Sequence, residues 1–419
     1  MRAAPPLLLC LLLALAAGAQ EPPGGPSAGA APEEPGARPG LFPVGPFWVT
    51  PRFHLGSLGI DTNVFYTATD RQADFVASGG PGLEVVLPGR PLRLLLAGNL
   101  DYLFFARTES QRQLTGDARA RVELQAQRLR AGLEESYVER FDRPSAEVDE
   151  RVLRGRFTTR ADLDLDLGQR FAVQTVLDSA REDVGGQPVF GGTALDPTLT
   201  HDTRRFLLGF SYKATGKTAL LAESELQEDR FPLAPARDTR GWRLAGGVAL
   251  ESKTRLEARV LLGRRRLRPA DDQELPDEQR DYADARLAWH FGPRTRLHLD
   301  FLNDVGFSAF DTQGQLPLLD QRSLELRLVR GLGQGRELTV FARRLELSTE
   351  APLTVVSPDG TPQTAPRDDR TREAGLSLTQ LFRSHWRAGF TAAWSSRNSV
   401  YDDLGVAGLL LGGTLMYVP

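Results

Sequence analysis

One cysteine, Cys10, is all this 419-residue chain has, and it lies within the first twenty residues. If those residues are removed, the remaining chain can hold neither a disulfide nor a thiolate metal site. Lysine is nearly as scarce: Lys213, Lys217 and Lys253 are the only three, and arginine supplies the other positive charges. Against 51 basic residues stand 54 acidic ones, so the chain lacks the charge excess of a nucleic-acid binder. After the first twenty residues no run of eighteen apolar residues occurs, which excludes a helical membrane protein but not a transmembrane barrel, whose strands look only weakly apolar.

What is present begins with "MRAAPPLLLCLLLALAAGAQ": a basic residue, Arg2, a leucine-rich core and a small-residue site, Ala17-Gly18-Ala19. This is the pattern of a secretory signal peptide over residues 1–19, cleaved after Ala19. Residues 20–46 are rich in Pro, Gly and Ala and are expected to form a disordered periplasmic leader.

From residue 47 onward the chain alternates. In "RGRFTTRADLDLDLGQR", from Arg154, Phe157, Thr159, Ala161, Leu163, Leu165 and Leu167 are uncharged, while Arg156, Arg160, Asp162, Asp164 and Asp166 are charged. A period of two means a strand with one apolar and one charged face. This one keeps its alternation for roughly twice the usual five or six residues. The same pattern sets Leu256, Ala258, Val260 and Leu262 against Arg255, Glu257 and Arg259. It sets Ala118, Ala120 and Val122 against Asp117, Arg119, Arg121 and Glu123.

Eighteen such segments can be placed, at about 47–59, 74–87, 91–106, 114–127, 129–141, 152–167, 170–184, 203–214, 217–231, 240–252, 254–268, 280–291, 295–307, 321–332, 336–349, 371–382, 385–397 and 405–418. Short glycine-containing turns such as "LGQR" at 167–170, "ATGK" at 214–217 and "FGPR" at 291–294 alternate with long polar loops at 182–203, 268–280 and 349–371. The expected fold class is all-β: a single antiparallel up-and-down transmembrane barrel, with tight turns on the periplasmic side and long loops outside. Trp386 and Trp394, eight residues apart on one apolar face, would stand roughly 20 Å apart along the membrane normal, close to the height of a barrel's apolar band. Long strands cross a bilayer, and the charges on their other face meet a water-filled lumen.

Candidate pore-lining residues follow from the charged faces: Arg119 and Arg121; Arg156, Arg160, Asp162 and Asp164; Glu223 and Glu225; Arg243; Arg255, Glu257 and Arg259; and Glu325 and Arg327. Such charges can set selectivity or simply neutralise one another across strands. At the C-terminus, Gly412, Leu415 and Tyr417 have the spacing of a signal read by the barrel insertion machinery, although the chain ends Val418-Pro419 rather than in an aromatic residue.

The opening hairpins carry a more particular pattern: Gly59-Ile60-Asp61-Thr62-Asn63-Val64-Phe65, a polar loop closing at Asp74, Pro81-Gly82-Leu83, and "GNLDYLFFAR" from Gly98. Over these fifty or so residues the chain resembles outer-membrane β-barrel proteins of the beta-barrel porin type 2 group. That resemblance implies the bacterial outer membrane and association with exopolysaccharide export, with polysaccharide and periplasmic export components as partners alongside the membrane lipid.

No catalytic grouping emerges. Five histidines are present, and none pairs by position with a serine and an acid. If the 280–307 hairpin is centred on Arg294, His290 and His298 face each other near Asp300, a weak metal site at most. "ADLDLDLG" lacks the glycine turn of a calcium loop, and "GLGQGR" at 331–336 is a strand turn rather than a phosphate cradle. The expectation is a non-enzymatic conduit without cofactor or metal, for saccharide export. The alternatives are a general diffusion porin and a non-conducting structural or adhesive barrel.

Overall fold

The computed structural model describes residues 42–417 except 252–254, 271–276, 311–315, 357–359, 383–385 and 402–403. The expected signal peptide and most of the expected leader lie outside the described residues. Phe42–Val44, within the stretch expected to be unstructured, form a short strand that folds back on Phe47–Val49.

Eighteen long strands make a ring. They are β1 (Phe47–Asp61), β2 (Asp74–Leu87), β3 (Leu92–Phe105), β4 (Gln113–Gln125), β5 (Leu129–Asp142) and β6 (Val152–Asp166). Next come β7 (Phe171–Val184), β8 (His201–Lys213), β9 (Thr218–Arg230), β10 (Thr239–Glu251), β11 (Leu256–Pro269) and β12 (Glu278–His290). The last are β13 (Thr295–Phe307), β14 (Leu318–Gly333), β15 (Arg336–Val356), β16 (Pro362–Phe382), β17 (Trp386–Asn398) and β18 (Val406–Tyr417). Each pairs antiparallel with its neighbours in sequence, and β18 closes onto β1, from Phe53 opposite Tyr417 to Asp61 opposite Leu410. Closure leaves no unpaired edge, as a strand structure in lipid requires.

The two faces separate as their sequence pattern dictates. Leu163, Leu177, Leu226, Leu244, Val260's neighbour Leu262, Leu324, Val340 and Phe390 project outward, between 40% and 63% exposed. In water each such side chain would forgo about 1.5–3 kcal/mol of burial, so an unbroken belt of them means an apolar surround. Aromatic pairs mark the tight-turn edge of the belt: Phe171 with Tyr212, Trp289 with Phe291, and Trp386 with Tyr417, ring centres 4.8–4.9 Å apart. This is the surface of a barrel that spans a membrane.

Charged side chains occupy the concave face. Arg121 on β4 meets Asp162 on β6 at 3.0 Å, reaching over β5. Only the concave side of a curved sheet brings groups two strands apart so close. Gly132 on β5 lies directly beneath: a Cβ there would stand 2.5 Å from Arg121 Nη2 and 2.8 Å from both Asp162 carboxylate oxygens.

One expected loop is largely strand. Residues 349–371 read as a long polar connection, but β15 and β16 continue through most of it, paired from Pro352–Pro366 to Val356–Pro362 after a register shift beyond Ser348. Ala351, Leu353 and Val355 face one way and are buried. The alternation was there to be read; the prolines sit where the ladder is already irregular. Elsewhere the long connections hold short elements, among them the five-residue helix α1 (Leu195–Leu199).

Candidate functional site

The inward face holds a series of ion-pair networks. Around Arg121 gather Asp162, Glu123 at 2.7 Å and Glu134 at 3.5 Å, one guanidinium serving three carboxylates. On the next wall, Glu223 and Glu225 of β9 meet Arg243 of β10 at 3.6 and 2.9 Å. Arg259 of β11 pairs with Glu223. Arg265 of β11 ties Glu225, at 3.2 Å, to Asp304 of β13, at 2.9 Å. Arg243 also lies over the Tyr282 ring, 4.3 Å from its centre. Arg327 pairs with Glu325 on its own strand, and Arg156 approaches Glu182 at 3.6 Å.

The remaining expected residues are less engaged. Arg119, Arg160 and Asp164 make no ion pair among the described residues. Arg119 stands opposite Ala97 and Ser136, Arg160 opposite Glu134 and Asp178, and Asp164 opposite Arg130 and Gln174. Arg255 lies just before β11 rather than in it, and is exposed. Glu257 is 3.7 Å from His290.

The pairing expected of the two histidines does not form. The β12–β13 turn closes from Phe291 to Thr295, so His290 stands opposite Arg296 and His298 opposite Ala288. The hairpin is centred one residue earlier than the sequence suggested, which offsets the rings by two positions. Among the described residues no cluster of His, Cys, Asp and Glu could hold a metal.

At the long-loop end the mouth is covered. The β5–β6 connection contributes Glu147, completely buried, whose carboxylate accepts hydrogen bonds from Ser308 Oγ at 2.9 Å and the Ala309 amide at 2.8 Å. Those partners belong to the β13–β14 connection, on the far wall of the ring. Arg367, in the tall β15–β16 hairpin, is also fully buried; it donates to Glu147 at 3.3 Å and pairs with Asp369. From the β5–β6 loop, Asp149 receives Arg397 of β17, which also donates to the carbonyls of Ala146 at 2.8 Å and Leu404 at 2.7 Å. Arg143 lies 3.9 Å over the Tyr66 ring and donates to the Val64 carbonyl.

An apolar core fills the same cap: Val148, Leu195, Phe310, Tyr401 and Leu404 from four connections pack with Leu353 and Val355 of β15. The Tyr401 hydroxyl donates to the carbonyls of Leu353 at 3.0 Å and Ala365 at 2.7 Å. Burial is the largest influence on both loop acids and pushes Glu147 and Asp149 above the ordinary carboxylate range, against the pull of Arg367 and Arg397. Around Arg367 two carboxylates, Glu147 and Asp369, share one guanidinium.

Period-two reasoning missed Glu147 and Asp149, because loops carry no period, and Arg367, whose strand was read as loop; Arg397 closes a strand that was placed, but the alternation does not say that it meets a loop acid. One signal was available. Val148, Phe310 and Tyr401 are large apolar residues in otherwise polar connections, and an apolar residue in a loop needs somewhere to pack.

The residues that carried the family resemblance support this end of the barrel. Asn63 is fully buried and donates to the carbonyls of Thr67 and Ala407. Asp74 accepts from the backbone amides of Arg107 and Thr108. At the seam, Gly412 lies opposite Gly59, Leu415 opposite Leu55 and Tyr417 opposite Phe53.

No family model matches the chain, and no curated protein matches it either. Solved structures with a similar chain path include Pseudomonas aeruginosa OpdK with vanillate, with a TM-score of 0.47 and 11% identity, covering 88% of this chain and 98% of that one. Acinetobacter baumannii OccAB3 gives 0.48 and 8% over 88% and 98%. A BenF-like porin from Pseudomonas fluorescens gives 0.47 and 9% over 88% and 99%. Likeness at this level carries no argument about what passes through this barrel.

Proposed function

We propose that the protein is an outer-membrane channel admitting small polar solutes past a mouth constricted by its own loops. An eighteen-strand ring is wide enough to leave an aqueous path. Its inward charges of both signs suit polar solutes, with Arg119, Arg160 and Asp164, unpaired among the described residues, as direct contacts for the permeant. The observation that carries the reading is the reach of Glu147 from one wall to Ser308, Ala309 and Arg367 on the others. Loops locked across the lumen favour a selective channel over an unobstructed one. Gly412, Leu415 and Tyr417 serve the insertion machinery in this reading, and residues 1–19 direct export.

Saccharide export draws only on the resemblance in the opening hairpins. A polymer thread would need the cap to swing wholly aside, so small-solute passage is the better supported use of this barrel. Planar-bilayer recordings on the purified protein test the proposal. Discrete conductance steps are expected, with acidic and neutral mono- and disaccharides reducing the current more than dextran does. Absence of conductance in both the native chain and a variant with a disrupted cap would leave a structural barrel.

A further inference from the structure

A groove of about 970 Å³ lies on the outside of the barrel, not in its lumen. Its apolar lining is Leu177, Phe206, Leu226 and Trp242, members of the outward belt or its edge. Above them runs a row of charge. Arg204 on β8 stands opposite Glu228 on β9, Glu228 opposite Arg240 on β10, and Arg240 opposite Arg268 on β11. With strands about 4.8 Å apart, the row spans roughly 14 Å. Arg230 and Arg266 flank it.

The row is not neutralised from within. Glu228 receives both Arg230, at 3.0 Å, and Arg240, at 3.1 Å. Arg266 has Asp277. Among the described residues no carboxylate pairs with Arg204 or Arg268. Like charges directly opposite on neighbouring strands, as with Arg240 and Arg268, cost stability unless an anion lies between them. Further round the ring at the same end Arg344 stands opposite Arg372, but Arg344 has Glu346 as its partner and Arg370 has Asp368.

Depth gives the second half of the argument. The row sits at the strand ends that meet the long connections, since β8 begins at His201 and β11 ends at Pro269. One step towards the membrane, Phe206, Leu226 and Trp242 take the corresponding positions. The groove therefore straddles the boundary between apolar belt and polar rim, where headgroups lie.

Resting on the reading of the chain as a membrane-spanning barrel, we infer that this face binds a phosphorylated lipid of the leaflet on the long-loop side. Arg204, Arg240 and Arg268 hold its phosphates, and its acyl chains lie on Phe206 and Leu226. Guanidinium is the side chain suited to this task, because its planar fork meets two phosphate oxygens at once.

Native mass spectrometry of the full barrel in detergent tests this, with diphosphoryl lipid A and the same lipid stripped of its phosphates as probes. The wild type is expected to retain the phosphorylated lipid and shed the other. Changing Arg204→Gln, Arg240→Gln and Arg268→Gln together should weaken retention on the order of 100-fold, at about fivefold per surface arginine. A control carrying Arg322→Gln, Arg344→Gln and Arg370→Gln should retain the lipid as the wild type does. Equal retention of both lipids, equal losses in both triple variants, or displacement by millimolar inorganic phosphate would overturn the inference. The gel shift between heated and unheated samples reports folding separately. A wild-type chain that does not shift overturns the barrel reading and this inference with it; a shifting wild type that ignores the phosphates overturns this inference alone. If the triple variant does not shift, Arg268→Gln, which breaks no described ion pair, replaces it with an expected loss of about fivefold; unchanged retention there counts against the inference.

Discussion

Glu147 and Ser308 are separated by 161 residues in the chain and by 2.9 Å in space. Their loops spring from walls on opposite sides of the ring, so this one hydrogen bond spans the mouth. Together with Arg367 it makes the cap a single packed unit rather than a set of independent loops.

Removing the carboxylate should therefore open the channel. Glu147→Ala leaves Arg367 with Asp369 but strips the acceptor from Ser308 Oγ and the Ala309 amide, and each buried donor left unsatisfied costs about 1–3 kcal/mol. The barrel itself should survive, because none of its strand ladders depends on Glu147. Expected outcomes are larger single-channel conductance and faster protease cleavage in the β5–β6 and β13–β14 connections, with an unchanged heat shift on gels. A conductance equal to that of the native chain would show that the cap does not limit flow.

Acidity should close the same cap. Burial raises Glu147 and Asp149 above the ordinary carboxylate range. A folded-state pKa above the unfolded one means that the packed cap takes up protons. Its contribution to stability is complete below the ordinary carboxylate value and is lost as pH rises through the raised one. Conductance measured from about pH 4 to about pH 8 should rise with pH. Glu147→Gln should flatten the rise; an unaltered profile in that variant would point elsewhere.

Permeant charge should answer to Arg119 and Arg160, which make no ion pair among the described residues. Arg119→Glu with Arg160→Glu adds negative charge to the lumen without breaking any described ion pair. Reversal potentials under a salt gradient should move towards cation selectivity, with a severalfold change in permeability ratio. No movement would mean that these side chains do not face the ions.

Facing can be mapped chemically, because a chain cleaved after Ala19 would keep no cysteine of its own. Single cysteines at Leu163 and Val260 should react with lipid-phase maleimides. Cysteines at Asp164 and Arg259 should react with water-soluble ones. The opposite labelling would invert the assignment of the two faces.

Gly132 should accept a side chain only at the expense of the Arg121–Asp162 pair above it. Gly132→Val drives its Cβ into the Arg121–Asp162 pair, at a cost of about 1–3 kcal/mol. Gly209→Ala, whose Cβ would meet nothing nearer than 3.7 Å, should be close to neutral. The temperatures at which the gel shift occurs compare the two.

The eighteen strands, most of their ends and the alternation of apolar with charged side chains were legible in the sequence, since each follows from side chains alternating along a single strand. The resemblance in residues 59–107 marked a segment that anchors the loop end through Asn63 and Asp74. It did not reveal what the barrel conducts. In the 349–371 segment polar composition hid a visible alternation, and the strands run on through it.

Alternation is local, and it determined the barrel by itself: long strands with one apolar face can bury that face only in lipid and satisfy their backbone only in a closed ring. Which charge meets which was decided by the ring. Arg121 finds Asp162 because curvature brings β4 and β6 together over a glycine. Glu147 finds Ser308 because closure sets two distant loops face to face. Arg240 and Arg268 stand side by side because register aligned them. These contacts depend on strand stagger and closure, which no single stretch of sequence carries.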